Sequence, residues 1–184
     1  MSEAQRHRET AARFSEVVDG TTDWDASAPV AGWTARDVVG HLTTWLPAFL
    51  EGAAVQMQPV SDDPVLAWHS QVAQVQAILE DPGTRDRVLS NPHIGDMPLA
   101  TAIDRIYTTD VFMHTWDLAR ATGQDDTLDP DACAGLLAGM TPIEAMLRDS
   151  GQYGPRVEVP ADADPQTQLI GFLGRDPWWT RAQD

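Results

Sequence analysis

Three side chains stand out in the sequence because their types and spacing could bind a metal ion. Asp110 and His114 are four residues apart, about one helical turn, so both would project to neighbouring points on one helix face. His41 lies in a separate segment, four residues after Asp37. Imidazole and carboxylate suit zinc and similar divalent ions. The alternative is that each histidine is a hydrogen-bonded core residue, since pairs at this spacing also arise by chance.

The segment around Asp110 favours the metal hypothesis because it places acids in an apolar seam. The six residues of this seam follow one another in steps of four and three, as on the inward face of a packed helix. Apolar residues also occupy the other sides, so we predict that this helix is central. A carboxylate there is costly unless a partner compensates its charge. The seam consists of Leu99, Ile103, Ile106, Asp110, Met113 and Asp117.

Two further acids have alternative interpretations. Asp117 either orients one of the two histidines through a ring nitrogen, or pairs with Arg120 or an arginine of another helix. Asp37 follows Thr34 at the spacing of a capping box, so we predict a helix-terminal carboxylate rather than a ligand. The remaining candidates are predicted to lie outside the site: His7 as a solvent-exposed residue, His69 and His93 because neither has an acid one turn away, and Cys133 as a packing residue beside Asp131.

The elements that must position these residues are predicted to be helices. Apolar spacing and start and stop signals predict an all-α antiparallel bundle with a small irregular hairpin over residues 85–97. Pro47 is expected to bend the second helix and Pro142 to interrupt the fifth. The predicted helices cover residues 2–19, 34–49, 64–79, 98–122, 131–149 and 165–173, and Gly123 is predicted to cap the fourth.

Length and charge limit the classes of partner. The 184 residues predict one domain, 1–184, with residues 155–184 as a C-terminal extension packed on it. The net charge of -16 would repel nucleic acid and anionic membranes, so we expect neither as a partner. The single cysteine excludes an internal disulfide, and the N-terminus has no apolar core typical of a signal peptide. We therefore expect a cytoplasmic protein.

Two segments resemble the signature segments of the DinB-like superfamily, in its branch of actinobacterial proteins similar to mycothiol-dependent maleylpyruvate isomerases. They are GWTARDVVGHLTTW (residues 32–45) and TDVFMHTWDLARATGQ (residues 109–124), and YGPRVEVPADADPQTQLIGFLGRDP resembles the tail of that branch. The resemblance implies a DinB-like four-helix bundle and a possible homodimer. It also implies a divalent metal, typically zinc, with nickel, iron or manganese as alternatives. The implied metal ligands are His41, Asp110 and His114.

This resemblance suggests a metal-dependent enzyme that activates a low-molecular-weight thiol, such as mycothiol, for transfer to or isomerisation of a small electrophile. The characterised isomerases carry a glutamate at the position of Asp110 and a larger C-terminal domain, so the isomerase reaction does not follow directly. Alternative functions are a hydrolase that uses bound water, an iron enzyme with a facial triad, and a non-catalytic metal-binding stress-response module.

Overall fold

The computed structural model describes residues 1–181 and is mainly α-helical, as predicted. One antiparallel two-stranded sheet, which pairs Val88 with Pro98 and Asn91 with Gly95, confirms the predicted hairpin. The strands are β1 (Val88–Asn91) and β2 (Gly95–Pro98). The helices are α1 (Glu3–Gly20), α2 (Ala35–Thr44), α3 (Leu46–Leu50), α4 (Pro64–Glu80), α5 (Pro82–Arg85), α6 (Leu99–Ala102), α7 (Thr109–Thr122), α8 (Pro130–Met140), α9 (Glu144–Asp149) and α10 (Pro165–Phe172).

Helix starts and stops follow local side-chain chemistry. Thr34 and Asp37 form the expected capping box at the start of α2, and the Asp63 side chain caps α4 ahead of its first-turn proline. Helix α7 ends at Gly123, whose positive φ of 69° is a left-handed conformation that glycine adopts without strain. These signals act within a few residues, which is why the sequence predicts them.

Helix α7 lies between two apolar cores and is therefore central, as predicted. The first core is enclosed by α1, α2, α4 and the α6–α7 region, and contains Phe14, Leu42 and Val111. The second contains Met113 and Trp116 from the middle of α7 together with residues of α8 and α10, among them Phe172. Packing on both sides fixes α7, so side chains on it have defined positions.

The two internal prolines end helices: the break near Pro47 is sharper than the predicted bend, and the interruption at Pro142 is as predicted. The helix predicted over 34–49 ends at Thr44, and Pro47 lies at the second position of the separate helix α3. Pro142 lies in a 3₁₀ turn, Thr141–Ile143, between α8 and α9. A second 3₁₀ turn, Glu51–Ala53, follows α3. Proline lacks an N–H and its ring clashes with the carbonyl four residues earlier, so termination relieves both costs.

A π-helical segment, Ile103–Thr108, joins α6 to α7 and shifts the predicted seam. The predicted core position Ile106 is only half-buried, whereas Tyr107 is fully buried. A π turn closes its hydrogen bonds over one more residue than an α turn, so side chains within the segment are displaced from their α-helical positions, while Met113 and Asp117 beyond it are buried as predicted. Periodicity assumes a uniform α-helix and therefore misplaces this one residue.

The sequence predicts that Trp178 and Trp179, near the C-terminus, cover an apolar patch on the bundle or on a partner subunit. On this chain Trp178 is exposed and Trp179 is half-buried, so the contact with a partner subunit stays a prediction. Residues 182–184 of the predicted C-terminal extension lie outside the described residues. Within residues 1–181, no helix has the length and apolar character needed to cross a membrane.

Candidate metal centre

Helices α2 and α7 pack together and bring the three predicted ligands to one point. Nε2 of His41 lies 3.0 Å from Oδ2 of Asp110, and Nε2 of His114 lies 3.4 Å from Oδ1 of the same carboxylate. The two imidazole rings meet edge to face, with centroids 4.9 Å apart. The three residues offer ligand atoms that all lie within 4.8 Å of one another, and so form a group that could hold a metal ion.

The spacing of these atoms fits a divalent ion. Two ligand atoms that each lie about 2.1 Å from a tetrahedral ion are about 3.4 Å apart. The two nitrogen–oxygen distances in the group are close to that separation, 3.0 Å to Oδ2 and 3.4 Å to Oδ1 of Asp110, so either oxygen could turn toward an ion held between the imidazoles. Two imidazole nitrogens and one carboxylate oxygen also leave a coordination position open, as in catalytic zinc sites.

The three side chains of the group differ in solvent exposure, from buried His114 to accessible His41. The side chain of His114 is 5% exposed, that of Asp110 18% and that of His41 34%. Trp33 packs against both imidazoles, with ring centroids 5.1 Å from His41 and 5.7 Å from His114. A small molecule can therefore approach from the side of His41, while the indole covers part of the centre.

Asp110 is held as a carboxylate. Burial raises its pKa, but Coulombic attraction and hydrogen bonds from His114 and His41 outweigh burial and hold the pKa well below its usual range. The indole N–H of Trp45 also donates to Oδ2 at 3.2 Å. An ionised carboxylate with fixed neighbours is the form that binds a metal ion.

His114 is fixed from its other ring nitrogen. Nδ1 lies 2.8 Å from Oδ2 of Asp117, which leaves Nε2 directed at Asp110. Burial lowers the pKa of His114, but attraction to Asp110 and to Asp117 outweighs burial and raises the pKa to about 9. A histidine held by a carboxylate at one nitrogen presents the other as the metal ligand.

Asp117 contacts a candidate ligand histidine, as the first interpretation has it, and it also pairs with an arginine, although that arginine lies beyond the end of α10 and not on another helix. It contacts His114, and Nε of Arg175 lies 2.8 Å from its Oδ1 and 3.0 Å from its Oδ2. The arginine is not Arg120, whose Nε instead lies 2.7 Å from Asp126. Burial raises the pKa of Asp117, but attraction to Arg175 and hydrogen bonds with His114 lower it overall.

Sequence reasoning missed two partners of the site. Arg175 is 58 residues from Asp117, and no helical spacing links them. The apolar spacing of the second predicted helix predicts Trp45 chiefly as part of the core or a pocket wall, yet its N–H also donates to Asp110. The available signal was indirect: a buried aspartate requires a cation or a donor, and this chain supplies arginines near its C-terminus.

The other candidates lie outside the group, as expected. Asp37 accepts from the backbone N–H of Thr34 at 2.8 Å in the capping box. His69 pairs with Asp19 on the surface, and His93 is exposed in the turn of the hairpin.

Cys133 is a buried packing residue, as predicted. Burial and the charges of Asp129 and Asp164, rather than that of the adjacent Asp131, raise the pKa of its thiol to about 11. A thiol with this pKa is protonated at neutral pH and is a poor nucleophile.

The prediction that His7 is solvent-exposed is wrong. His7 is fully buried between α1 and α4, and its Nδ1 lies 2.9 Å from Oε1 of Gln76. Positions 7, 11, 14 and 18 lie on one face of α1, so the apolar stripe through Ala11, Phe14 and Val18 includes His7. That periodicity was the signal that could have placed it in the core.

Comparison with known proteins defines the family. The chain is 32% identical over 151 residues to the uncharacterized proteins MT0763 and Rv0738, from two strains of Mycobacterium tuberculosis. The match covers 80% of this chain and 82% of each relative. The chain therefore belongs to the family of these mycobacterial proteins. No family model matches the chain, and no solved structure matches it significantly.

Proposed function

We propose that this protein is a metal-dependent enzyme built on a DinB-like four-helix bundle, with zinc as its first candidate metal. One observation carries the proposal: Nε2 atoms from histidines on two helices face different oxygens of one carboxylate, Asp110. The bundle would consist of α1, α2, α4 and the α6–α7 region, which enclose one core. The sequence resemblance independently implies the same ligands.

Different residues of the chain would bind the ion, orient a ligand and exclude water at this centre. His41, Asp110 and His114 would hold the ion, and Asp117 would keep Nε2 of His114 directed toward it. Trp33 would exclude water from one side of the centre. When bound, a divalent ion supplies Lewis acidity, which lowers the pKa of an entering thiol or water and polarises a carbonyl.

The nucleophile that we propose is a low-molecular-weight thiol similar to mycothiol. The enzyme would either transfer this thiol to a small electrophile or use it to isomerise that electrophile. The family resemblance supports this choice. The chain's own thiol is unsuitable, because Cys133 is buried in the second core and its pKa is raised to about 11. The reactive sulfur would therefore be that of the small thiol, which would enter on the exposed side of His41.

Metal analysis and calorimetry test the proposal. The purified wild type is expected to contain about one divalent ion, and a folded His114→Ala variant to lose it. His69→Ala is the matched control, because it removes a surface histidine outside the group. Mycothiol titrated into the zinc-loaded wild type should bind and release heat. A wild type that binds no divalent metal, or a zinc-loaded protein that does not bind the thiol, would overturn it.

A further inference from the structure

A buried ion pair joins Arg175, in the C-terminal segment that follows α10 (residues 173–181), to Asp117 of α7. Asp117 is completely buried, and the side chain of Arg175 is only 14% exposed. Nε of Arg175 contacts both carboxylate oxygens, while its Nη1 lies 3.4 Å from the carbonyl oxygen of Leu173. The guanidinium is therefore anchored at two points, which a lysine ammonium cannot reproduce with the same planar geometry.

The turn that directs Arg175 toward α7 is built for close approach. Gly174 has a φ of +84°, and a Cβ atom there would lie 2.9 Å from the backbone of Gly154 and Pro155. The backbone N–H of Arg175 then donates to the carbonyl of Ile170 at 3.1 Å. The turn is fixed from both sides, so the position of the guanidinium is determined by the fold.

The same carboxylate contacts the arginine and a candidate ligand. Oδ2 of Asp117 lies 3.0 Å from Nε of Arg175 and 2.8 Å from Nδ1 of His114. An ion pair that served only stability would not need to share an oxygen with a histidine. Because Arg175 holds both oxygens, it fixes the rotation of the carboxylate, and the carboxylate fixes the plane of the imidazole.

We propose that Arg175 is a positioning residue of the metal centre, acting through Asp117 on the His114 ring. The inference rests on the proposed metal-binding function and assigns to the C-terminal segment a part in that site. It follows that metal affinity and ligand geometry depend on a residue that contacts neither the ion nor a substrate.

Zinc affinity and the absorption spectrum of the cobalt-substituted protein test this role. Arg175→Met is expected to weaken zinc binding by roughly 10- to 100-fold, the usual cost of losing a partner behind a ligand, and to change the cobalt bands. Arg181→Met is the matched control, since Arg181 also lies in the C-terminal segment and pairs with Asp23 on the surface. The control should keep the wild-type affinity and spectrum.

A double-variant cycle separates positioning from a purely structural role. If Arg175 acts through Asp117, then Arg175→Met should change zinc affinity little in an Asp117→Asn background. Fully additive effects would overturn the inference, as would wild-type affinity and bands in a folded Arg175→Met. If Arg175→Met fails to fold, Arg175→Lys takes its place in the test. Wild-type zinc affinity and wild-type cobalt bands in Arg175→Lys would also overturn the inference. If the wild type itself binds no metal, the proposed function fails instead.

Discussion

Two buried histidines of this protein have opposite electrostatic environments. His7 and His114 are both almost completely removed from solvent. The Nδ1 of His7 contacts the neutral amide of Gln76, whereas His114 contacts two carboxylates. Burial lowers the pKa of His7 despite its hydrogen bond with Gln76, while the carboxylates overcome burial at His114 and raise the pKa to about 9.

The difference shows that partners, not burial alone, set the direction in which the pKa of a buried histidine shifts. The two regions are close, because the ring of Tyr107 lies 6.2 Å from that of His7 and 5.8 Å from that of Trp45. Trp45 in turn donates to Asp110. Tyr107 and Trp45 thus separate the core histidine, His7, from the carboxylate-bearing group that could hold an ion.

The largest expected effect is at Asp110. Asp110→Asn removes the negative charge that both candidate ligands face, so zinc affinity should fall by more than about 100-fold, beyond the loss of a partner behind a ligand. Competition with a chelator measures it. His7→Leu, in the opposite environment, should keep the wild-type affinity. Tight zinc binding by a folded Asp110→Asn would contradict the assignment of the ligands.

Metal affinity should also depend on pH through His114. In the metal-free protein the pKa of His114, which burial would lower, is raised to about 9 by Asp110 and Asp117. Below that pH a bound ion must displace a proton, so zinc affinity should increase about tenfold per pH unit well below pH 9 and about 50-fold from pH 7 to pH 9. Chelator competition at several pH values measures the slope. A flat profile would contradict it, and His69→Ala should keep the slope.

A smaller effect is expected when His7 is replaced. His7→Leu leaves Oε1 of Gln76 without its partner and should cost about 1 kcal/mol in unfolding free energy. The folded pKa of His7 lies below 6.5, so the unfolded chain binds the proton first and the wild type loses stability as the pH falls below 6.5. The His7→Leu variant should lack this loss of stability at acid pH, as urea unfolding at pH 5 and pH 7 would show. An unchanged acid dependence would indicate that His7 is not buried.

The smallest effect is expected at the indole N–H between the two regions. Trp45→Phe removes the hydrogen bond to Asp110 but keeps an aromatic ring beside Tyr107. One such bond contributes about 1 kcal/mol, so zinc affinity should fall by less than about tenfold. Titration beside the exposed control Trp178→Phe measures it. A loss as large as that of Asp110→Asn would mean that Trp45 shapes the whole centre.

Much of the fold and the central pair of the site could be predicted because they depend on local spacing. The capping box at Thr34, the end of α7 at Gly123 and the pairing of Asp110 with His114 all act within about one turn. His41 could be added because it lies beside the apolar stripe of α2, which must pack on a neighbouring helix.

The remaining features depend on contacts that no short spacing encodes. The π segment buries Tyr107 in place of Ile106, and the spacing of apolar residues alone does not show where such a segment lies. The ion pair of Arg175 with Asp117 requires the turn at Gly174 and the packing of the C-terminal segment, which only the folded chain establishes.

The position of Trp33 against both imidazoles gives the centre an intrinsic optical reporter. An ion with a partly filled d shell, such as cobalt or nickel, would quench the fluorescence of this indole on arrival, whereas the filled shell of zinc would leave most of the emission intact. Comparing the protein with Trp33→Phe would isolate that signal from the other tryptophans. Occupancy could then be followed in real time without an added dye.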